Sequence, residues 1–235
     1  MTNAETIGKL LKEWFAEHGR RFPWRNVKDP YRVMVVEFLL QRTKAETVKK
    51  IYNEIFRRFP DINTLAAAEN KEIEDIFSRL GLLYRAAKLV NAAKAILENH
   101  QGRVPCNAKM LLELDGVGAY IMSAVLNFGC AVPTPVVDKN VMRVANRLWG
   151  VERESEARKL IEKLYNYGDH DTIAYALIDL GALICMDKPH CGICPLNDVC
   201  PKLPIQKEKW RMLRKVKTAT GKALKEQPIT KLSKR

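Results

Sequence analysis

Four cysteines within sixteen residues constrain this chain more than any other feature of its sequence. They occupy positions 185, 191, 194 and 200, in the pattern Cys-x5-Cys-x2-Cys-x5-Cys. Because disulfides are rare inside cells, such a cluster indicates a metal site rather than a cross-linked loop. Zinc ribbons use two Cys-x2-Cys pairs, whereas this chain has one, and four close thiolates are typical ligands of a 4Fe-4S cluster. We therefore expect a 4Fe-4S cluster bound by Cys185, Cys191, Cys194 and Cys200.

Length and composition place the chain among ordinary globular proteins. Its 235 residues are 47% hydrophobic, which suits one large domain or two small ones that share a core. No apolar run approaches the roughly 20 residues of a membrane-spanning helix. The N-terminal stretch is amphipathic and carries Glu5, unlike a signal peptide. We predict an intracellular protein, of the cytoplasm or nucleoid, that does not contact membranes.

The net charge of +13 is concentrated at the C-terminal end. Residues 201–235 contain twelve Lys or Arg and two Glu, a net charge of +10, so the first 200 residues carry only +3. A basic tail on a nearly neutral body favours a polyanionic partner, with nucleic acid first among the candidates. A solvated tail that aids solubility is the alternative.

The spacing of apolar residues is helical along most of the chain. Clear stripes at i, i+3, i+4 and i+7 run through residues 7–15, 48–59 and 86–97. Residues 131–137 contain Pro133 and Pro135, so we expect an extended connector there rather than a strand. The sequence predicts an all-α fold, with further helices near 31–41, 63–79, 108–113, 118–128, 140–148, 155–166 and 171–184.

A Gly-x-Gly turn joins two apolar helical segments at residues 114–120, which have the sequence LDGVGAY. The pattern predicts a helix–hairpin–helix unit, since glycines allow a tight turn and a close approach of the backbone. The N–H groups of Gly116, Val117 and Gly118, with the start of the next helix, can then hold a DNA phosphate. A plain turn between two helices is the alternative.

Two carboxylates have positions that suit catalysis. Asp138 precedes a predicted helix, where it is either an N-cap or a catalyst, and both roles are compatible because a helix start favours an ionised carboxylate. Glu37 is flanked by apolar residues, so it lies either on an exposed polar face or in a functional cleft. In a cleft, burial would raise its pKa and favour an acid role.

The hairpin, Asp138 and the four cysteines follow one another along the chain. A chain with these motifs in this order resembles the helix–hairpin–helix DNA glycosylases with an iron–sulfur cluster, the endonuclease III and MutY group. Residues 22–25 (FPWR), 29–31 (DPY) and 37–43 (E-x-x-LQRT) also match. The resemblance covers roughly residues 5–200. It implies a two-lobed helical fold, with a six-helix barrel at 26–132, a cluster lobe at 1–25 and 133–200, and a basic tail at 201–235.

The same resemblance implies a function. Members flip a damaged or mispaired base out of the duplex and cut its N-glycosidic bond. A carboxylate at the position of Asp138 stabilises the positive charge that develops on the sugar. The resemblance also implies a monomer that binds double-stranded DNA with a mispaired base, a monovalent cation at the hairpin, and DNA contacts from Gln41, Arg42 and Leu83. Arg42 either enters the base stack or contacts phosphate.

Tyr120 distinguishes the branches of the group. Endonuclease III-like enzymes have a lysine there, whose amine forms a Schiff base with the sugar and leads to strand cleavage. A tyrosine cannot do so, which predicts a monofunctional enzyme. In having a tyrosine at this position, the chain resembles the archaeal mismatch glycosylases that remove thymine or uracil opposite guanine. A MutY-like adenine glycosylase acting opposite G or 8-oxoguanine, and a DNA-binding module without chemistry, are the alternatives.

Overall fold

The computed structural model describes residues 4–81 and 83–204, and every regular element within these ranges is helical. Short 3-10 turns occur at Pro23–Asn26, Tyr165–Tyr167 and Cys191–Ile193. The predicted all-α class is confirmed. Eleven α-helices make up the described fold: α1 Ala4–His18, α2 Pro30–Leu40, α3 Ala45–Arg58, α4 Ile62–Ala66, α5 Asn70–Ser78, α6 Tyr84–His100, α7 Ala108–Glu113, α8 Ala119–Ala124, α9 Lys139–Trp149, α10 Glu154–Leu164 and α11 His170–Leu183.

The helix predicted over 63–79 is wrong in one respect, because the structure divides it into α4 and α5. Two capping sequences explain the division. The Asp61 carboxylate accepts a hydrogen bond from Thr64 N at 2.9 Å, and Glu69 N donates to the Glu72 carboxylate at 3.2 Å. Each pair begins a helix of its own.

The helix predicted over 118–128 changes character halfway. After α8, residues Val125–Gly129 form a turn of π-helix. Asn127 in this turn is fully buried, donates to the Asp171 carboxylate at 2.9 Å and accepts from Thr134 N at 3.2 Å. The extended connector predicted for residues 131–137 follows, without regular structure.

The helices enclose two hydrophobic cores. The first centres on α2, whose Met34 and Phe38 are fully buried, and it packs α2 against α3, α6 and α8. The second packs α1, α9, α10 and α11 together around Ile7, Leu11 and Val141. We keep the predicted boundaries of the barrel and the cluster lobe as a proposal, which this separation supports.

Ion pairs to two buried aspartates connect α11 to the segment before α2. Asp179 is fully buried and accepts from the Arg25 guanidinium at 2.6 and 2.7 Å and from Arg20 Nε at 2.7 Å. Lys28 pairs with Asp171, also on α11. Because each acid is paired, the charges are tolerated inside the protein and fix how the two cores meet.

A disulfide joins Cys106 and Cys130, with their Cα atoms 5.7 Å apart. These two cysteines lie outside the cluster at residues 185–200. The bridge closes a loop that contains α7, the hairpin, α8 and the π-turn.

None of the helices in the described ranges combines the length and apolar character needed to cross a membrane. The basic tail from residue 205 onward lies outside the described residues.

Candidate active site

Two adjoining cavities lie between the first core and the start of α9. The larger has a volume of about 760 Å³ and the smaller about 200 Å³. Among the residues that line both are the two carboxylates that the sequence singled out, with Tyr120 beside them. The full set of shared wall residues is Glu37, Leu40, Thr43, Tyr120, Asp138 and Asn140.

Glu37 lies in the cleft and not on an exposed face. Only 6% of its surface is exposed, on a helix that is apolar on nearly every side. Burial raises the pKa of Glu37 to about 8, with the charge of Asp138 adding to the rise and a hydrogen bond from Tyr120 opposing it. Its Oε2 atom has no hydrogen-bond partner among the described residues. At neutral pH this carboxyl is mostly protonated and can act as an acid.

Asp138 is both the N-cap of α9 and a wall of the cavities. Its Oδ1 accepts from Asn140 N at 2.8 Å and Val141 N at 2.7 Å, while Oδ2 accepts from Asn140 Nδ2 at 2.9 Å. Burial raises its pKa, and the hydrogen bonds from Val141 and Asn140 work against that rise. The cap therefore holds the carboxylate in one orientation at the positive end of a helix.

Tyr120 is the second residue of α8, is half-buried, and lines both cavities together with the two carboxylates. Burial, followed by the charges of Glu37 and Asp138, raises the pKa of its phenol well above the usual value. The phenol is therefore neutral, and its hydroxyl hydrogen-bonds with Glu37. A neutral phenol is a poor nucleophile toward a sugar aldehyde.

The hairpin uses its two glycines for different reasons. Gly116 has φ +79°, and a Cβ there would lie 2.8 Å from the Phe38 ring. Gly118 caps α8 and faces open space. Val117 is buried and its N–H bonds to Leu114 O at 3.1 Å, so its side chain and N–H are not free to meet DNA. The predicted phosphate contact then rests on the backbone of the glycines, and it stays a prediction.

The other residues predicted to contact DNA lie in two places. Gln41 and Arg42 follow α2 and line the larger cavity, and Arg42 is held at φ +58°. Leu83 precedes α6 and is 51% exposed, beside Tyr84 at 55%. Neither cavity is lined by Leu83 or by the hairpin glycines. The structure therefore groups Gln41 and Arg42 with the carboxylates.

The wall of the smaller cavity also contains Trp24, Arg25 and Tyr175, for which the sequence alone predicts no role. The Arg25 guanidinium lies 4.6 Å from the centre of the Tyr175 ring, and its Nε has no hydrogen-bond partner within the described part of the chain. Trp24 and Arg25 belong to the FPWR motif, which was the only available signal. Aromatic rings and a fixed cation suit a planar, polar ligand.

The four clustered cysteines surround a separate cavity of about 30 Å³. All four are free thiols, and burial raises the pKa of Cys194 to about 11. Arg147 Nη1 donates to Cys185 Sγ at 3.2 Å, and Lys202 N donates to Cys200 Sγ at 3.4 Å. Within the described ranges, no group of three or more His, Cys, Asp or Glu side chains has an arrangement that holds a metal ion.

Comparison with known proteins agrees with this geometry. A thymine-DNA glycosylase of Aeropyrum pernix is 37% identical over 83% of this chain and 93% of its own length. A thymine/uracil-DNA glycosylase of Pyrobaculum aerophilum is 32% identical over 80% of this chain and 87% of its own. The solved structure of a thermostable thymine-DNA glycosylase superposes with a TM-score of 0.79 at 31% identity, over 84% of this chain and 94% of that one.

The model of a protein family matches residues 35–167, a range that includes Glu37, the hairpin and Asp138. The match spans more than half of the chain, and the fold and relatives agree with it. The chain belongs to the HhH-GPD superfamily of base excision DNA repair proteins.

Proposed function

We propose that this protein is a monofunctional DNA glycosylase that hydrolyses the N-glycosidic bond of thymine or uracil mispaired with guanine. The observation that carries the proposal is the pairing of a buried Glu37, with a pKa of about 8, and a capped Asp138 in the wall of the same cavities. The similarity to thymine-DNA and thymine/uracil-DNA glycosylases supports this choice of base.

Asp138 stabilises the sugar as the bond breaks. Cleavage leaves oxocarbenium-like charge at C1′, and a fixed carboxylate beside it lowers the barrier. The cap bonds to Asn140 and Val141 hold the side chain in place, so little reorganisation is needed during the reaction. The carboxylate also orients the water whose oxygen bonds to C1′.

Glu37 acts on the departing base. The bonding electron pair leaves with the pyrimidine, which becomes an anion with charge on its carbonyl oxygens. A protonated carboxyl with a free Oε2 donates a hydrogen bond to that charge and then its proton. The water that attacks C1′ gives up a proton in turn, so the acid is restored.

The smaller cavity accommodates the flipped base. Trp24 and Tyr175 contribute aromatic rings to its wall, and Arg25 Nε, without a partner among the described residues, can donate to a carbonyl. Tyr120 contacts the flipped nucleotide and restricts its position. It forms no Schiff base, because its phenol stays neutral. The product is therefore an intact strand with an abasic site.

The larger cavity faces the duplex. Arg42, Lys44 and Lys139 in its wall suit a phosphate backbone, and Gln41 and Leu83 fill the space that the flipped nucleotide leaves. The hairpin backbone holds a phosphate, together with a monovalent cation, and the basic tail adds attraction that is independent of sequence. One chain acts alone on the mispaired duplex.

The four cysteines fit a 4Fe-4S cluster. Each cysteine of such a site binds a different iron, so thiols around a cluster stand farther apart than those around one ion. They share one cavity here, and N–H donors already point at two of the sulfurs, as suits thiolates. Cys185, Cys191, Cys194 and Cys200 would hold it. When bound, the cluster supplies four iron–sulfur bonds that fix the loop.

One assay separates this function from its alternatives. Duplexes with G·T, G·U, A·G and A·8-oxoguanine pairs are incubated with excess enzyme, and free base is measured. We expect thymine and uracil to be released, with strand breaks only after alkali. Release of adenine alone would indicate the MutY-like activity, and binding without release would indicate a DNA-binding module. A preparation of Asp138→Asn made in parallel controls for contaminating enzymes.

A further inference from the structure

An arginine is the largest of the fully buried side chains in the described structure. Arg85 is 0% exposed, in the second position of α6. Its Nη1 donates a long hydrogen bond of 3.4 Å to Thr43 Oγ1. The Nε and Nη2 atoms have no partner among the described residues. Burial of a guanidinium with unpaired donors lowers the stability of the folded state, so a role for Arg85 that offsets this loss is expected.

Thr43 connects Arg85 to the active site. It belongs to the turn after α2, and it lines both cavities. Thr43 N bonds to Leu40 O at 3.1 Å, and its hydroxyl donates to Gln41 O at 3.4 Å. The turn includes Arg42 at φ +58°, a conformation that costs free energy in a residue other than glycine. Arg85 therefore supports a strained turn that presents Gln41 and Arg42 to the larger cavity.

The end of α2 explains how the charge is tolerated. This helix has no basic residue in its last turn, and its carbonyls there carry partial negative charge. A guanidinium held at Thr43, three residues beyond the helix, lies where that charge is favourable to a cation. The helix is also the one that carries Glu37.

Arg85 follows directly after a second DNA-facing segment. Leu83 and Tyr84 are both more than half exposed, and Ala86 N bonds back to Leu83 O at 2.9 Å. The anchored residue and the exposed apolar tip are thus consecutive in sequence. One buried side chain joins the turn at 41–44 to the tip at residues 83 and 84.

Given the proposed function, we propose that Arg85 is a positioning residue that makes these two segments act on the duplex together. The tip and the turn approach the mispair from different parts of the chain, and base opening needs both. Arginine suits this role because its fork has several donors in one plane.

The test compares two substrates in single turnover. One has uracil opposite guanine; the other has uracil opposite a tetrahydrofuran abasic analogue, where no pair must be opened. For Arg85→Met we expect release to slow by about 100-fold on the first substrate and by less than about threefold on the second. Arg85→Lys keeps the charge but not the fork, and an intermediate loss is expected. Arg79→Met removes a surface arginine paired with Glu54, and should change neither rate.

Thr43→Val keeps the test decisive if Arg85→Met does not fold. It removes the hydroxyl that accepts from Arg85, and it should change the ratio of the two rates in the same direction. In the double variant the losses should not add, because both changes remove one connection. Equal slowing on both substrates, no slowing, or additive losses would overturn the proposal. Absence of uracil release by the wild-type enzyme would instead contradict the proposed function itself.

Discussion

The cavity around Glu37 and the loop at residues 185–200 hold their reactive groups in different ways. Glu37 sits on α2, where neighbouring side chains such as Met34 and Phe38 are fully buried. The cysteine loop has one short 3-10 turn, and Ile193 within it is 70% exposed. Apolar burial keeps the first region rigid. The second has little apolar packing of its own and depends on what its thiols bind.

Helix α9 belongs to both regions. Asp138 caps its start, and Arg143 on its second turn donates to Cys185 O and Gly181 O at 2.6 Å. Arg147, one turn later, donates to Met186 O at 2.6 Å. The end of the helix at Asp138 is thus fixed by its cap, and the other end by the cysteine loop. Changes in the cavity should therefore affect chemistry, and changes in the loop should affect stability.

The largest effect is expected for Asp138→Asn. The change keeps the shape of the cap but removes the charge that we propose stabilises the sugar, so base release should fall by about 1000-fold, or roughly 4 kcal/mol of barrier. DNA affinity, measured by fluorescence anisotropy, should stay within a few-fold. Asp169→Asn, at the N-cap of α11, is the matched control because it removes a similar cap outside the two cavities. Release within tenfold of wild type would show that Asp138 is not catalytic.

The next effect concerns the loop. Cys194→Ser should remove one cluster ligand, so the protein should lose its brown colour and about four irons per chain. The melting temperature should fall by about 10 °C or more, since the metal bonds contribute to folding. A double variant, Cys106→Ser with Cys130→Ser, should keep its iron. Wild-type protein that is colourless and holds one zinc when prepared without oxygen would contradict the assignment.

Glu37→Gln should change how the free energy of unfolding depends on pH, because it removes the buried acid. The folded pKa of Glu37, about 8, lies above the unfolded value near 4.5. Between these values the unfolded chain binds fewer protons, so the free energy of unfolding of the wild type falls as pH rises. The variant lacks this loss, so its free energy of unfolding relative to that of the wild type should rise by roughly 3 kcal/mol from pH 5 to pH 8 in urea titrations.

A constant difference between the two proteins across that pH range would mean that Glu37 titrates normally. Glu54→Gln is the control. Arg79 beside Glu54 lowers the pKa of that surface carboxyl, so its removal should not give a stability advantage that grows with pH.

The smallest effect is expected from the disulfide. Reduction should lower the free energy of unfolding by about 2 kcal/mol, because the bridge restricts the unfolded chain across the hairpin. A variant with Cys106→Ala and Cys130→Ala should have the reduced stability and be insensitive to reductant. Equal stability of the oxidised and reduced wild type would show that the bridge adds nothing.

The two regions also differ in how far sequence alone could predict them. The cysteine loop is local, so spacing within sixteen residues was enough to group its thiols. The caps at Asp138 and the stripes of α1 and α3 are local as well. Glu37 is different, since α2 is apolar on nearly all sides and the neighbours that shift its pKa, Tyr120 and Asp138, are distant in sequence. Its burial could only be decided by the fold.

The same limit applies to other long-range contacts. Cys106 and Cys130 are separated by 24 residues, and nothing in their spacing selects that pairing over free thiols. The contact between Arg85 and Thr43 spans 42 residues, and a single arginine in an amphipathic helix predicts an exposed side chain. The division of α4 from α5 was predictable, because both capping sequences are local; the apolar stripe concealed it.

The most direct test of the central claim places a nucleophile in the cavity. If the sugar of the flipped nucleotide lies beside Tyr120, then Tyr120→Lys puts an amine next to it, and burial lowers the pKa of that amine toward a usable value. With abasic DNA and borohydride, the variant should form a trapped covalent complex, whereas the wild type and Tyr167→Lys, altered at an exposed tyrosine that lines neither cavity, should not. A folded, DNA-binding Tyr120→Lys variant that forms no complex, or efficient trapping by the wild type, would contradict the account.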